Sequence, residues 1–303
     1  MVRLRSWVAA SRASIAGVHP GVDVAAGVVL AGGRSSRMGT PKSSLEWHGS
    51  TLLYRTAALV GRAVEGPVVV VGAPGQELPE LPARVEVVDD PVEGLGPMQG
   101  IAAGLAAVAD RATTAFVCST DLPFLHPAFV RRVLRALTAP EVDMVLPVAR
   151  GFRQPLAAGY RTVLAELITK LVAEGDLRPG MLFKHCQVLQ LDDTELLADT
   201  TLARYDPDLE SVVNINTPED YGLAHGRPPA EITVQCFGAL AGGGRHGARS
   251  IRAATLAEAA TGMGLALDRH VVAALNGDQI TRDGQLPLVA GDSVAFLSAD
   301  AGG

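Results

Sequence analysis

A glycine-rich loop with cationic side chains follows the first apolar segment of the chain. Residues 27–30 are Gly-Val-Val-Leu, and residues 31–42 read Ala-Gly-Gly-Arg-Ser-Ser-Arg-Met-Gly-Thr-Pro-Lys. Small residues after a buried strand let the backbone turn tightly and leave amide N–H groups to face an anion. Arg37 and Lys42 add positively charged donors, which suit the α-phosphate and the departing pyrophosphate of a nucleoside triphosphate. The loop therefore predicts a site for such a ligand.

Aspartates follow two later apolar segments. Asp121 comes after the segment 115–118, and Asp89 and Asp90 come after 85–88. We expect Asp121 to bind a Mg²⁺ ion shared with triphosphate oxygens, because the next predicted helix begins too far along the chain for Asp121 to cap it. Neighbouring residues of an extended chain point to opposite sides, so only one of Asp89 and Asp90 is expected to face the site. A plain turn-forming role for Asp90, which precedes a proline, stays open.

Two asparagines, Asn214 and Asn216, flank Ile215 in the segment 212–216. This segment is predicted to be a short strand, in which alternate residues share a face. Amides on one face suit contacts with a sugar, a base or a metal-bound water. The alternative is that they bond to turn backbone.

Apolar runs alternate with helical patterns over most of the chain. This alternation predicts an α/β fold, a Rossmann-like, mostly parallel sheet covered on both faces. The strands are expected at 27–30, 68–71, 85–88, 115–118, 143–147 and 156–160, and the helices at 51–64, 98–108, 127–137 and 161–174. Ligands of such sheets bind beyond the carboxyl ends of the strands. The loop 31–42, Asp90 and Asp121 each follow a strand end, which predicts a single active site.

A break at 226–230, Gly-Arg-Pro-Pro-Ala, separates a different pattern. Residues 231–303 predict a small α+β domain of the β-grasp, ubiquitin-like type, with a hairpin turn at Asn276-Gly277. The predicted organisation is a disordered extension at 1–24, a main domain at 25–226, a linker at 227–230 and the small domain at 231–303.

Bulk composition excludes several classes of protein. The net charge of −6 over 303 residues argues against nucleic acid as a partner. Cys118, Cys186 and Cys236 lack Cys-x-x-Cys spacing, which argues against a zinc site and a disulfide framework. No apolar run reaches the roughly 18 residues that a membrane span needs. We therefore expect a cytoplasmic protein without membrane partners.

The string from Leu30 to Lys42 resembles the signature of the nucleotidyltransferases that attach a nucleotide to molybdopterin, the guanylyl-transferring family in particular. Segments 87–90 with 96–97, 118–123 and 214–219 resemble the remaining family landmarks in order, so the resemblance covers about 25–225. It implies transfer of GMP from GTP to the molybdopterin-bound molybdenum cofactor, with Mg²⁺, giving the guanine dinucleotide cofactor and pyrophosphate. Proteins that deliver the molybdenum cofactor are implied partners.

The same resemblance assigns roles to individual residues. It implies that Leu30, Ala31, Gly32 and Gly33 line the base and phosphates, that Lys42 binds phosphate, that Asp90 contacts the nucleotide, that Asp121 binds Mg²⁺, and that Asn214 and Asn216 lie by the ligand cleft. Gly32 resembles the guanylyl branch, because related cytidylyl enzymes tend to carry Ala there. A cytidylyltransferase or sugar-nucleotidyltransferase stays open as the alternative.

Residues 231–303 resemble the small subunit of molybdopterin synthase, a ubiquitin-like sulfur carrier. The resemblance rests on 272–277, 286–297 and the pair Gly302-Gly303. It implies that Gly303 is adenylated and converted to a thiocarboxylate, with the large synthase subunit and an activating enzyme as partners. A sulfur carrier with a degenerate transferase domain is the non-enzyme alternative.

Overall fold

A computed structural model describes residues 24–32, 39–91, 95–242 and 246–299. By their contacts the residues group into two units, the first comprising 1–45 and 52–218 and the second 46–51 and 219–303. The hairpin at 46–51 joins the second unit because Trp47 packs edge-on against the rings of Tyr221 and His225. The predicted domain limits near 226–230 stay a prediction.

The strands and helices alternate along the first unit, as expected. The strands, in chain order, are β1 (Ala25–Leu30), β2 (Glu46–Trp47), β3 (Ser50–Thr51), β4 (Val68–Gly72), β5 (Val85–Asp89), β6 (Thr114–Ser119), β7 (Met144–Ala149), β8 (Phe152–Arg153), β9 (Ala157–Arg161), β10 (Val188–Leu191), β11 (Glu231–Cys236), β12 (Ala248–Arg252), β13 (Val271–Leu275), β14 (Gln279–Thr281) and β15 (Ser293–Ser298). The α-helices are Leu52–Gly61, Pro97–Val108, Pro127–Ala136, Leu164–Ala173, Pro179–Leu182, Asp193–Leu197, Thr200–Tyr205, Pro218–His225 and Leu256–Gly262.

The main sheet of the first unit has the strand order β10-β7-β9-β6-β1-β4-β5. All neighbours pair in parallel except β9, which runs antiparallel to β6 and β7. Strands β1 and β4 are valine-rich and buried because helices cover both faces. The helix Pro97–Val108 lies so close to β1 that a Cβ added to Gly104 would stand 2.3 Å from the Val28 side chain. The predicted α/β, mostly parallel fold is confirmed.

This topology gathers many chain segments at one edge of the sheet. The carboxyl ends of β5, β4, β1, β6, β7 and β10 share it, because those strands run in one direction. The residues before β9 also lie there, since that strand runs the other way. Ser119, at the end of β6, donates its backbone N–H to the carbonyl of Leu156 at 3.2 Å. This edge is where the sheet topology predicts a ligand.

The predicted strand at 212–216 was wrong. Glu210–Val212 is a 3-10 turn, and the next residues are extended without strand pairing. The Asp206 carboxylate accepts the backbone N–H groups of Glu210 and Ser211, which holds the chain in a turn. The Ile215 N–H then bonds to the carbonyl oxygen of Asp121 instead of a strand partner.

The helix predicted at 161–174 begins later than expected. Arg161 is the last residue of β9 and pairs with Thr114. Its guanidinium donates to the carbonyl oxygen of Val142 at 2.7 Å and to that of Ala139 at 3.0 Å. The side chain thus ties the end of β9 to the turn before β7, and the helix starts only at Leu164.

The second unit has a mixed sheet of strand order β12-β11-β15-β13-β14. Strands β11 and β15 are parallel, and the other neighbours are antiparallel. The helix Leu256–Gly262 is capped by the Thr255 side chain, and Leu256, Ala259 and Ala260 are buried with the apolar residues of the sheet. The predicted turn at Asn276-Gly277 joins β13 to β14, and both residues have positive φ, as a type I′ turn requires. These features are consistent with a β-grasp domain, which stays a prediction.

Within the described ranges, none of the helices combines the length and the apolar character required to cross a membrane. The three cysteines are free thiols, of which Cys118 and Cys236 are buried.

Candidate nucleotide site

Lys42 and Asp121, far apart in sequence, meet at the edge where β6 ends. The Lys42 ammonium lies 2.9 Å from Asp121 Oδ2 and 3.0 Å from Asn216 Oδ1. The two charged side chains are 22% and 13% exposed, so the pair is screened from water yet reachable. A lysine held between a carboxylate and an amide oxygen is a positive charge in a fixed place, ready to meet an anion.

The Asp121 carboxylate is held by further side chains. The Ser119 hydroxyl donates a short hydrogen bond to Oδ1, and the Asn214 amide donates to the same oxygen at 3.3 Å. Both predicted asparagines therefore face Asp121 and Lys42, although the segment that carries them is not a strand. The bond from the Ile215 N–H to the Asp121 carbonyl, 3.0 Å long, fixes the backbone between them.

The loop after β1 begins differently from the prediction. The Ala31 and Gly32 amides both donate to the Val71 carbonyl, at 2.8 and 3.2 Å, so they extend the pairing with β4 instead of pointing free. A Cβ added to Gly32 would meet the Ala73 nitrogen at 3.5 Å, an ordinary contact, so the fold itself tolerates a methyl group there. The predicted site residues Gly33 and Arg37 lie outside the described residues, as do Gly302 and Gly303.

Two residues that the sequence analysis did not single out hold this loop. Thr120 donates from its hydroxyl to the Leu30 carbonyl at 2.8 Å. Gln76 donates to the Ala31 carbonyl at 3.3 Å and accepts from the Ala73 N–H at 2.9 Å. Thr120 stood beside Asp121 in a segment already recognised, which was the available signal. Gln76 sits in a turn after β4, and nothing in its spacing indicated the contact.

Asp89 and Asp90 divide as the alternation predicted. Asp89 is exposed, whereas Asp90 is half-buried. The Asp90 Oδ2 lies 3.8 Å from where a Cβ on Gly100 would stand, and Leu30 Cδ2 is 3.3 Å from the same point. Asp90 therefore faces the cleft between β1 and the start of the helix Pro97–Val108.

The electrostatics of the edge separate the thiol from the polar cluster. Burial, together with the nearby charge of Asp121, raises the pKa of the Cys118 thiol far above its usual range, so this group stays neutral. In the described part of the chain no three His, Cys, Asp or Glu side chains are grouped to hold a metal ion. Any metal at this edge would therefore need amide, hydroxyl or ligand oxygens beside Asp121.

Known proteins agree with this geometry. The pattern of the MobA-like NTP transferase domain matches residues 27–189. The chain belongs to the MobA-like NTP transferase family. A protein of Mycobacterium tuberculosis named probable molybdenum cofactor guanylyltransferase is 38% identical over 169 residues, which are 55% of this chain and 82% of that protein. One of the same name from Mycolicibacterium paratuberculosis is 39% identical over 180 residues, 57% of this chain and 89% of that one.

A solved structure of this family gives the fold independently. The molybdopterin-guanine dinucleotide biosynthesis protein A of Archaeoglobus fulgidus superposes with a TM-score of 0.51 at 22% identity, over 66% of this chain and 96% of that chain. The predicted membership of the molybdopterin nucleotidyltransferases is thereby confirmed, and with it the prediction of a nucleotidyltransferase enzyme. These matches cover the first unit and leave the resemblance of residues 231–303 untested.

Proposed function

We propose that this protein is a molybdenum cofactor guanylyltransferase, which transfers GMP from GTP to the molybdopterin-bound molybdenum cofactor. The observation that carries the proposal is the pairing of Lys42 with Asp121 at the carboxyl edge of a sheet of this family. The names of the relatives in Mycobacterium tuberculosis and Mycolicibacterium paratuberculosis support the choice of guanylyl group and acceptor.

In this reaction an oxygen of the acceptor phosphate attacks the α-phosphorus of GTP, and the bond from that phosphorus to the bridging oxygen of the β-phosphate breaks. Pyrophosphate leaves with the electron pair of that bond. The protein needs no nucleophile of its own, so its residues act by position and charge. Lys42, together with Arg37, balances charge on the phosphates, and the segment from Leu30 to Gly33 receives the nucleotide.

Asp90 and the asparagines complete the proposed site. The half-buried Asp90 carboxylate faces the cleft beside Leu30, where it accepts hydrogen bonds from the nucleotide. Asn214 and Asn216 hold Asp121 and Lys42 and line the cleft on the other side. The nucleotide then lies along the ends of β1, β4 and β5, with its α-phosphate next to the end of β6.

The oxygen donors at Asp121 fit a magnesium ion. Mg²⁺ prefers carboxylate, amide and phosphate oxygens. The Lys42 ammonium, between Asp121 Oδ2 and Asn216 Oδ1, already marks a place where these oxygens accommodate a cation. We propose Asp121 as the protein carboxylate that holds Mg²⁺, which when bound supplies charge neutralisation for the phosphates.

The test uses purified full-length protein, freshly prepared molybdopterin loaded with molybdate, and each of the four nucleoside triphosphates in turn. We expect a dinucleotide product and pyrophosphate with GTP and Mg²⁺, and loss of both on adding EDTA. Product formation from CTP without GTP would replace the proposal with a cytidylyltransferase. Activity only with sugar phosphates as acceptors would indicate a sugar-nucleotidyltransferase.

We further propose that residues 231–303 form a sulfur-carrier-like module. Its support is the strand order β12-β11-β15-β13-β14 with one helix packed on the sheet. The proposed partners are an adenylating activating enzyme and the large subunit of molybdopterin synthase, and delivery proteins for the first unit's product. Mass spectrometry of protein purified from cells tests this: a C-terminal thiocarboxylate at Gly303 is expected, and only unmodified Gly303 in cells that make molybdopterin would contradict it.

A further inference from the structure

The β7–β8 hairpin rises from the same sheet edge as Lys42 and Asp121, on the side away from the nucleotide. Under the proposed function the nucleotide occupies the ends of β1, β4 and β5. The strand order places β9 and then β7 beyond β6. With strands about 4.8 Å apart, the end of β7 lies roughly 10 Å from the end of β6. An acceptor that attacks the α-phosphorus from opposite the leaving pyrophosphate must extend over this part of the edge.

The hairpin carries an exposed aromatic ring there. The Phe152 side chain is 73% exposed, the largest exposure among the exposed large hydrophobic residues of the described chain. Its neighbour Arg153 is also exposed, and the Arg153 guanidinium lies 6.0 Å from the centre of the Phe183 ring. A ring and a guanidinium side by side are suited to a flat heterocycle, which stacks on the ring and accepts hydrogen bonds from the guanidinium.

The hairpin is held in place from several directions. Arg150 and Gly151 form its tight turn with positive φ at both residues. The Arg150 N–H donates to the Asp193 carboxylate at 2.9 Å, and its guanidinium donates to the Asp208 carbonyl at 2.6 Å. The Gln154 N–H donates to the Pro147 carbonyl at 2.9 Å. Phe152 is thus presented on a fixed support, which lowers the entropy lost when a ligand stacks on it.

We propose that Phe152 and Arg153 form the acceptor subsite, with Phe152 stacking on the flat bicyclic ring of the acceptor and Arg153 donating to its carbonyl and ring nitrogens. The acceptor phosphate then reaches the end of β6, while its heterocycle lies at the end of β7. A pterin joined to a phosphate through a third ring has a length comparable to that separation. This assignment rests on the proposed function for the identity of the acceptor.

The experiment compares Phe152→Ala, Phe152→Trp and Arg153→Gln with the wild-type full chain, using Phe237→Ala as the control at another exposed aromatic. Initial rates of pyrophosphate release are measured against molybdopterin at saturating GTP and against GTP at saturating molybdopterin. Binding of molybdopterin alone is measured by the quenching of its pterin fluorescence. Because Phe152 is exposed, its replacement is expected to leave the thermal midpoint unchanged.

We expect Phe152→Ala to raise the KM and Kd for molybdopterin about tenfold, within the range of one lost aromatic stack. Phe152→Trp keeps both values near wild type, Arg153→Gln raises them severalfold, and the KM for GTP stays the same in all variants. Unchanged acceptor binding in Phe152→Ala, or an equal rise in the KM for GTP, would overturn the subsite. A wild-type protein that binds molybdopterin but makes no dinucleotide would overturn the proposed function alone, since the fluorescence titration still decides the subsite.

Discussion

Two aspartates at strand ends, one in each unit, are bonded to asparagine side chains and yet differ in kind. Asp121 is held by the side chains of Lys42, Ser119 and Asn214. Asp292, only 4% exposed, accepts the Val289 backbone N–H at 2.8 Å and the Asn276 amide at 3.0 Å.

The difference lies in the type of donor. Backbone donors cannot leave without unfolding the turn, so Asp292 fastens the start of β15 to the Asn276-Gly277 turn. Side-chain donors can exchange an internal bond for one to a ligand at small cost, so the Asp121 cluster is built to be opened. The comparison teaches that polarity at a strand end indicates a site only when mobile, partly exposed partners satisfy it.

The largest effect is expected for Asp121→Asn. The substitution preserves shape and removes the charge that holds Lys42 and, by our proposal, Mg²⁺. Guanylyl transfer should fall about 10²–10³-fold, the usual cost of removing one charge-stabilising group from an active site. The rate of pyrophosphate release measures this. The free energy of unfolding, from urea denaturation, should stay close to wild type.

Lys42→Met is expected to follow closely. The methionine keeps the apolar stem and removes the ammonium from between Asp121 and Asn216. Transfer should fall about 10²-fold, because charge on the phosphates is no longer balanced by this group. A full rate in this variant would show that the pairing seen here has no part in the reaction.

Asp292→Ala should give the opposite pattern. It leaves the Val289 N–H and the Asn276 amide without this acceptor in a buried place, at a cost of about 2–3 kcal/mol. Hydrogen exchange should show lost protection in β13 and β15, while the rate of guanylyl transfer stays unchanged. Loss of transfer together with stability would contradict the division of roles between the two aspartates.

The smallest effect is expected for Asn214→Ala. Its bond to Asp121 is 3.3 Å long and the residue is exposed. Transfer should fall a few-fold, while stability changes by less than about 0.5 kcal/mol, as is usual for surface positions. The matched variant Asn276→Ala should lower stability and leave transfer alone. Equal effects of the two on unfolding would remove the contrast.

Much of this arrangement could be predicted from the residues. Valine runs bounded by Gly and Pro predicted the buried parallel strands, and the rule that ligands bind at carboxyl edges brought the loop after β1, Asp90 and Asp121 together. The asparagine pair was predicted to share a face. That result held for another reason: bonds to Asp121 and Lys42, not strand alternation, turn both side chains toward the cluster.

Other contacts could not be predicted, because they depend on packing between distant segments. The Lys42 ammonium reaches Asn216 across 174 positions of the chain. Gln76 bonds to Ala31 because a turn after β4 folds back, and Arg161 ends β9 by bonding to carbonyls of another turn. Periodicity and propensity carry no signal for such side-chain bonds. The roles of Arg37 and of Gly302 and Gly303 stay predictions.

The central claim is that the Lys42–Asp121 edge performs guanylyl transfer. The most direct measurement is the initial rate of pyrophosphate release from GTP with molybdopterin and Mg²⁺, compared between wild-type protein, Asp121→Asn and Asp292→Asn at equal concentrations of folded protein. The account predicts near-complete loss in Asp121→Asn and a wild-type rate in Asp292→Asn. A wild-type rate in Asp121→Asn would contradict it.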